Sequence, residues 1–186
     1  MLVTVEEVKT FLGIKNNTQN AVIEMLIGAM TSYIENHCQR KFEADDYIEK
    51  QDGTGNCELL LNQYPINSIT RLERNQSLNN TESFVTVDAE EYFSAEKSGI
   101  LTKITSFLRG KQNYKITYNA GYAEADVPED LKYCCQVLIS EAMGHRKNTG
   151  LKSESLGDHS VSFGASVQSN PVIKNILSGY RKIPIC

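Results

Sequence analysis

The stretch SESLGDHSVSFG, Ser153 to Gly164, sets Asp158, His159 and Ser160 side by side, the three residue types of a nucleophilic hydrolase. Their adjacency argues against that chemistry. Consecutive side chains of an extended chain point to opposite faces, so these neighbours cannot pass a proton in relay. Base and nucleophile have to converge from separate elements, and the sequence has no GxSxG elbow. No catalytic residue is expected here.

Two adjacent pairs, His37-Cys38 and Cys134-Cys135, carry metal-ligating types. Consecutive helical residues project about 100° apart, so neither pair can readily aim both side chains at one ion. The expectation is that Cys134 and Cys135 pack in a core, while His37 and His145 lie near helix C-termini, where the dipole favours an imidazolium. The acidic groups Asp45, Asp46, Glu49 and Asp88, Glu90, Glu91 lack the alternating oxygen-ligand loop of a calcium hand and read as a solvated rim. DGTGN at Asp52 to Asn56 reads as a hairpin turn, with Gly supplying positive φ. No metal ligand and no cofactor is expected.

Lys97, Lys103, Arg109, Lys111 and Lys115 fall in or beside the late strands, interleaved with acids. Dispersed charges of this kind solubilise more often than they recognise. The net charge of −4, without a basic block, argues against a protein whose task is to grip nucleic acid through its phosphates.

The elements that would position these residues follow from local signals. Thr4 to Glu7 is a capping box before Val5, Val8, Phe11 and Leu12, and Gly13 should stop that helix. Val22, Leu26, Ala29, Met30, Tyr33, Ile34 and His37 recur at helical steps, predicting a helix from Gln19 to Cys38. From Lys41 to Tyr122 the period falls to two. Strands are predicted at Tyr47–Gln51, Glu58–Leu61, Ile66–Arg74, Phe84–Val87, Tyr92–Ala95, Ile100–Ile104 and Tyr114–Tyr118, as one small antiparallel sheet. Pro128 opens a third helix with Leu131, Cys134, Cys135, Leu138 and Ala142 on its apolar face. Asn170-Pro171 starts a last helix on which Ile173, Ile176, Leu177 and Tyr180 share a face, with Arg181 and Lys182 at its end. The fold class is therefore α+β, a small bundle of about four helices with an inserted antiparallel β subdomain. The helical core is expected from residues 1–40 and 123–186, with a flexible segment at 150–169, and the β subdomain from 41–122.

Bulk properties agree with an ordinary globular chain. At 186 residues, 40% apolar and 23% charged, folding should bury roughly 70% of the extended-chain surface. No run approaches the roughly 20 apolar residues of a spanning helix, and the N-terminus MLVTVEEVK lacks the pattern of a signal peptide, so a cytosolic start is expected. Five Cys without a CxxC pair indicate reduced thiols.

The order of elements resembles that of the head-tail connector, or adaptor, proteins of tailed bacteriophages and prophages. The resemblance spans nearly the whole chain. It is carried by VTVEEVKTFLGI, the helix ending in IENHCQRKF, LLLNQYPINSITRL, ITYNAGYAEADVPEDLKYCCQVL, KSESLGDHSVSFG and the terminal ILSGYRKI. It departs from the smallest members, which look like bare helical bundles, in the size of its β insertion. The resemblance implies a non-enzymatic virion neck protein, present in the host cytoplasm before assembly. It would form a ring of copies, twelve-fold when assembled, on the portal protein, extending the DNA channel and docking the next neck or tail protein while DNA passes without sequence recognition. Another neck component, such as a head-completion stopper or a tail terminator, and an enzyme with an unrecognised site are the alternatives.

SESLGDHSVSFG suits such a role without catalysis. Val161, Phe163 and Val167 alternate with Ser162 and Ser166 as a strand would. Leu151 to Ser169 is therefore expected to be a flexible arm that orders against a neighbour or the portal, the alternative being an ordinary surface hairpin. The expected interface comprises Leu151, Leu156, Val161, Phe163 and Val167 of this arm with Ile173, Leu177, Tyr180, Arg181 and Lys182 of the last helix.

Overall fold

The computed structural model describes residues 1–77, 82–147, 154–156, 159–161 and 170–182. The fold is α+β, with four helices and antiparallel sheets among the described residues. The chain divides into a helical unit, Met1–Arg40 with Glu124–Lys182, and a β unit, Lys41–Ala123.

In the helical unit, α1 (Val5–Leu12) begins as its sequence dictates. Thr4 N donates to Glu7 Oε2 at 2.7 Å, and Glu7 N donates to Thr4 Oγ1 at 3.2 Å, closing the capping box. Gly13, at φ 69°, ends it in the left-handed conformation. The longer α2 (Asn20–Cys38) and α3 (Glu129–Lys147) pack together, and α4 (Pro171–Gly179) packs on both. Asn170 caps α4, its side chain accepting from Val172 N and Ile173 N. Val8, Ile23, Ile27, Ile34, Cys38, Leu131, Cys134, Cys135, Ile139, Ile173 and Leu177 are buried.

The phase of α2 differs from the predicted stripe by one position. Ile23, Ile27, Ile34 and Cys38 face inward, whereas Tyr33 is 40% exposed and Val22 and Leu26 are half-buried. The helix is apolar around most of its circumference, so periodicity alone does not choose which side meets the core.

The β unit holds two sheets rather than the one predicted. β1 (Asp45–Gly53), β7 (Gly110–Ala120), β3 (Ile66–Asn75) and β4 (Phe84–Thr86) form a four-stranded antiparallel sheet in that order. β2 (Glu58–Leu60), β6 (Ile100–Lys103) and β5 (Tyr92–Ala95) form a three-stranded one. Tyr114, Ile116, Tyr118 and Ala120 alternate inward along β7 and, with Leu59, Leu61, Ile66, Leu72, Leu101 and Phe107, make the core of this unit.

DGTGN is not a hairpin turn. β1 pairs with β7 and β2 with β6, so Asp52 to Asn56 passes the chain from one sheet to the other. Its glycines answer two different needs. Gly55 takes φ 85°, while at Gly53 a Cβ would lie 1.8 Å from the carbonyl oxygen of Leu108.

Within Leu151 to Ser169, β8 (Glu154–Leu156) and β9 (His159–Val161) pair antiparallel, with Ser155 opposite Ser160. The rest of the expected arm lies outside the described residues.

Candidate functional site

The residue types that suggest chemistry do not converge. His159 and Ser160 take their places in the β8–β9 register opposite Leu156 and Ser155, and Asp158 lies outside the described residues. Cys38, Cys134 and Cys135 are fully buried in the helical unit. Burial pushes the Cys38 and Cys134 thiols up to about 11 and Cys135 up to about 12. They are inert packing groups at neutral pH. Among the described residues, no group of His, Cys, Asp and Glu is placed to hold a metal ion, and no helix is long and apolar enough to cross a membrane.

The acidic and basic groups are mostly structural. Glu49 accepts from the Asn62 side chain at 2.6 Å and from its backbone N, tying β1 to the chain beyond β2. Nearby, the Tyr118 hydroxyl accepts from Gln63 N at 3.2 Å, and burial with the Glu49 charge raises its pKa. Asp46 accepts from Asn119, and Asp88 caps a 3₁₀ turn at Glu90 N. Lys103 is only 9% exposed and pairs with Glu91 at 2.9 Å, while Lys115 pairs with Glu73 at 3.3 Å. Two of the five dispersed cations are thus committed to internal pairing.

The helical unit clusters its polar contacts around the first turns of α3. Lys132 reaches Glu7 at 3.0 Å and Glu129 at 3.2 Å, and the Tyr180 hydroxyl donates to Asp130 Oδ1 at 2.6 Å. Tyr133 stands edge-on to Phe11 with centroids 6.2 Å apart, both rings a little under half exposed. After α4 the chain is tied back by Lys182 N donating to Cys38 O at 2.8 Å, while Cys38 Sγ donates to Leu177 O.

The predicted interface residues therefore separate. Ile173 and Leu177, at 1% and 0% exposure, are turned into the core, because an amphipathic helix of this length must bury its apolar stripe to be stable. Val172 is the apolar residue of α4 that stands outward, at 57% exposure. Arg181 is exposed, and Tyr180 and Lys182 are partly so. Leu156 and Val161 lie on β8 and β9; Leu151, Phe163 and Val167 lie outside the described residues.

Sequence reasoning missed a second surface. On the three-stranded sheet, register puts Phe93, Thr102 and Glu58 in one row and Ala95, Ile100 and Leu60 in the next, all on the face away from buried Leu59 and Leu101. Phe93 is 60% exposed. A cleft of about 790 Å³ opens at the β2 edge of this sheet, lined by Lys50, Gln51 and Asp52 of β1 and by Glu58, Leu59, Leu60 and Ile100. The signal in the sequence was the doubling of apolar residues, Leu59-Leu60, Tyr92-Phe93 and Ile100-Leu101, which leaves one of each pair facing outward.

A loop tied down by backbone hydrogen bonds flanks the cleft. Phe107 is buried against Tyr114 in an edge-on contact at 4.9 Å, and its backbone exchanges 2.8 Å hydrogen bonds with Gly55 and Asn56. The neighbouring Leu108 is held 53% exposed.

Residues 1–183 match the sequence model of a family described as head completion protein. Among solved structures, the chain is similar in fold to a chain in the neck of an empty GTA particle computed with C6 symmetry, at TM-score 0.62 and 13% identity, covering 100% of this chain and 92% of that one. It is also similar to a chain in the virion of a native gene transfer agent particle, at TM-score 0.60 and 13% identity over 100% and 92% of the two chains. A third is in the neck of a native GTA particle computed with C12 symmetry, at TM-score 0.60 and 14% identity over 98% and 90%. No curated protein is significantly similar to the chain. On the match over residues 1–183, the chain belongs to the head completion protein family.

Proposed function

We propose that this protein is a structural, non-enzymatic neck component of a tailed phage or phage-like particle, acting as the connector that docks on the portal. The observation that carries the reading is the family match over residues 1–183, joined to a fold shared along nearly the full length of chains from GTA particles. The C12 symmetry in the description of one of those necks supports a ring of twelve copies. Such a ring would extend the DNA channel, pass DNA without sequence recognition and offer its far side to the next neck or tail protein. The host cytoplasm would hold the chain before it joins the virion neck.

For portal and inter-subunit contact we assign Leu151, Leu156, Val161, Phe163 and Val167 together with Tyr180, Arg181 and Lys182. Ile173 and Leu177 are buried in the helical unit and anchor α4, which leads into Tyr180, Arg181 and Lys182. Tyr and Arg at the end of α4 are the residue types that anchor interfaces.

A stopper placed lower in the neck is the second reading, favoured by the family's description as head completion. The two differ in whether the portal is touched directly. Native mass spectrometry of the chain with its cognate portal protein separates them. Stoichiometric addition to the portal oligomer, lost on deletion of residues 151–169, is the connector result. Addition only when another neck protein is present refutes the connector and selects the stopper.

A further inference from the structure

The two ends of the four-stranded sheet carry opposite charge. The β1–β7 ladder runs from Asp45 opposite Ala120 to Gly53 opposite Gly110, and at about 3.4 Å per residue its ends lie about 27 Å apart. At the Gly53 and Gly110 end a second cleft, of about 760 Å³, is lined by Arg74 of β3 and by Leu108, Arg109, Lys111 and Gln112 of the loop entering β7. Arg109 and Lys111 are exposed and Arg74 is half-buried, and none of the three has an ion pair among the described residues. The acids of this end are already engaged: Glu82 pairs with Lys50, and Asp52 accepts from Gln112 N at 2.7 Å.

Local contacts hold the cations in place. Leu108 N donates to the Tyr114 hydroxyl, Asn113 Nδ2 donates to Leu108 O, and Arg109 lies along Gly55, its Cγ 3.1 Å from where a Cβ would stand. A loop fixed in this way loses little freedom on docking, and Arg is a residue type that anchors interfaces.

At the other end Asp45 and Asp46 are exposed and have no ion pair among the described residues. Asp45 Oδ1 accepts from Asp46 N at 2.8 Å and Asp46 Oδ1 from Asn119 at 2.7 Å, which fixes both carboxylates. Glu43 stands two residues earlier, and Lys41 is the cation of that stretch.

In a cyclic ring each contact is heterologous, one surface of a copy meeting a different surface of the next. A sheet with cations at one end and acids at the other supplies such a pair, and complementary potentials fix its register. The net charge of −4 opposes approach of a polyanion, so a second copy suits the cations better than a nucleic acid does. We propose that the cleft at Arg74, Arg109 and Lys111 of one copy takes Asp45 and Asp46 of the next, closing the ring through the β units. This rests on the ring reading above and names its copy-to-copy contact.

The test mixes the cognate portal oligomer with half the copies needed to fill it, at fixed ionic strength, and reads occupancy by native mass spectrometry. A favourable contact between neighbours makes filling all-or-none, so the parent chain should give empty and full portals. Arg109→Glu with Lys111→Glu, and separately Asp45→Lys with Asp46→Lys, should give a statistical spread of partial rings, and the chain carrying all four reversals should restore all-or-none filling. Circular dichroism checks that each variant is folded; Lys111→Glu alone, which leaves Arg109 on Gly55, should shift the distribution in the same direction. All-or-none filling by either twofold variant overturns the contact, as does failure of the folded fourfold variant to restore it. A fluorescein-labelled DNA duplex that binds the parent and not the Arg109→Glu, Lys111→Glu chain, with filling unchanged, assigns the cleft to DNA instead. Statistical filling by the parent overturns the contact and leaves portal docking standing. No addition of the parent to the portal overturns the ring reading and this inference with it.

Discussion

Adding one methyl group at two glycines should change stability in opposite directions. At Gly53 a Cβ would sit 1.8 Å from Leu108 O and 2.9 Å from Asn113 Oδ1. That carbonyl cannot easily retreat. Leu108 O accepts from Asn113 Nδ2 at 2.8 Å, Leu108 N donates to the Tyr114 hydroxyl at 2.9 Å, and Phe107 beside it is buried. Asn113 Oδ1 in turn accepts from Gly53 N at 2.7 Å. Overpacking costs about 1–3 kcal/mol, and loss of one hydrogen bond adds about 1 kcal/mol. Gly53→Ala is therefore expected to destabilise the β unit by about 2–4 kcal/mol.

Gly28 lies inside α2 with nothing within 4 Å of an added Cβ. There Ala removes the entropic penalty of glycine, and Gly28→Ala should stabilise the helical unit by about 0.5–1 kcal/mol. The assay is urea unfolding followed by far-UV circular dichroism and by tyrosine fluorescence, since the chain has nine Tyr and no Trp. If the two units unfold separately, each substitution should move only its own transition. A Gly53→Ala midpoint within about 0.5 kcal/mol of the parent, outside the range expected for overpacking, would refute the account of the crossing loop. A destabilised Gly28→Ala would refute the claim of open space on α2.

Three further outcomes follow from the helical unit and the thiols. Leu177→Ala should cost about 2–5 kcal/mol in urea midpoint, whereas Val172→Ala, one turn away but exposed, should stay within about 0.5 kcal/mol; equal costs would contradict the assigned face of α4. At Glu7, burial works to raise the carboxyl pKa, but the Thr4 backbone hydrogen bond and the Lys132 ammonium outweigh it and hold the group below its ordinary value. Its stabilisation is therefore complete above the ordinary carboxylate range and fades as pH falls through the lowered folded value. Glu7→Gln should flatten that acid limb in a pH series of thermal midpoints, and an unchanged limb would sink the assignment. In the Cys186→Ser chain, one thiol should react with a disulfide reagent at pH 8, that of Cys57, while Cys38, Cys134 and Cys135 should react only on unfolding, being buried with raised pKa values; fast release of more than one equivalent would show that the helical core opens.

The parts of this protein that the amino-acid sequence determined by itself are those set within a few residues. The Thr4 capping box, the Gly13 stop and the Asn170-Pro171 start each satisfy the orphan groups of a helix end from positions two to four away. Strand positions from β1 to β7 were legible because alternation is a local property, and the burial of Cys134 and Cys135 followed from their place on an amphipathic face. A resemblance to phage head-tail connector proteins was legible from the order of those elements, and the match over residues 1–183 places the chain in the head completion protein family. Tertiary structure alone decided the rest. The pairing of β1 with β7 joins residues more than fifty positions apart, and no local signal distinguishes it from a β1–β2 hairpin, so the two-sheet arrangement and its cleft stayed hidden. The same holds for Phe93 and Ile100, whose outward direction depends on which member of each apolar pair the register turns inward, and for α2, whose phase was chosen by its partners. Ile173 and Leu177 looked like contact residues because apolarity marks core and interface alike, and only packing tells which of the two a residue serves.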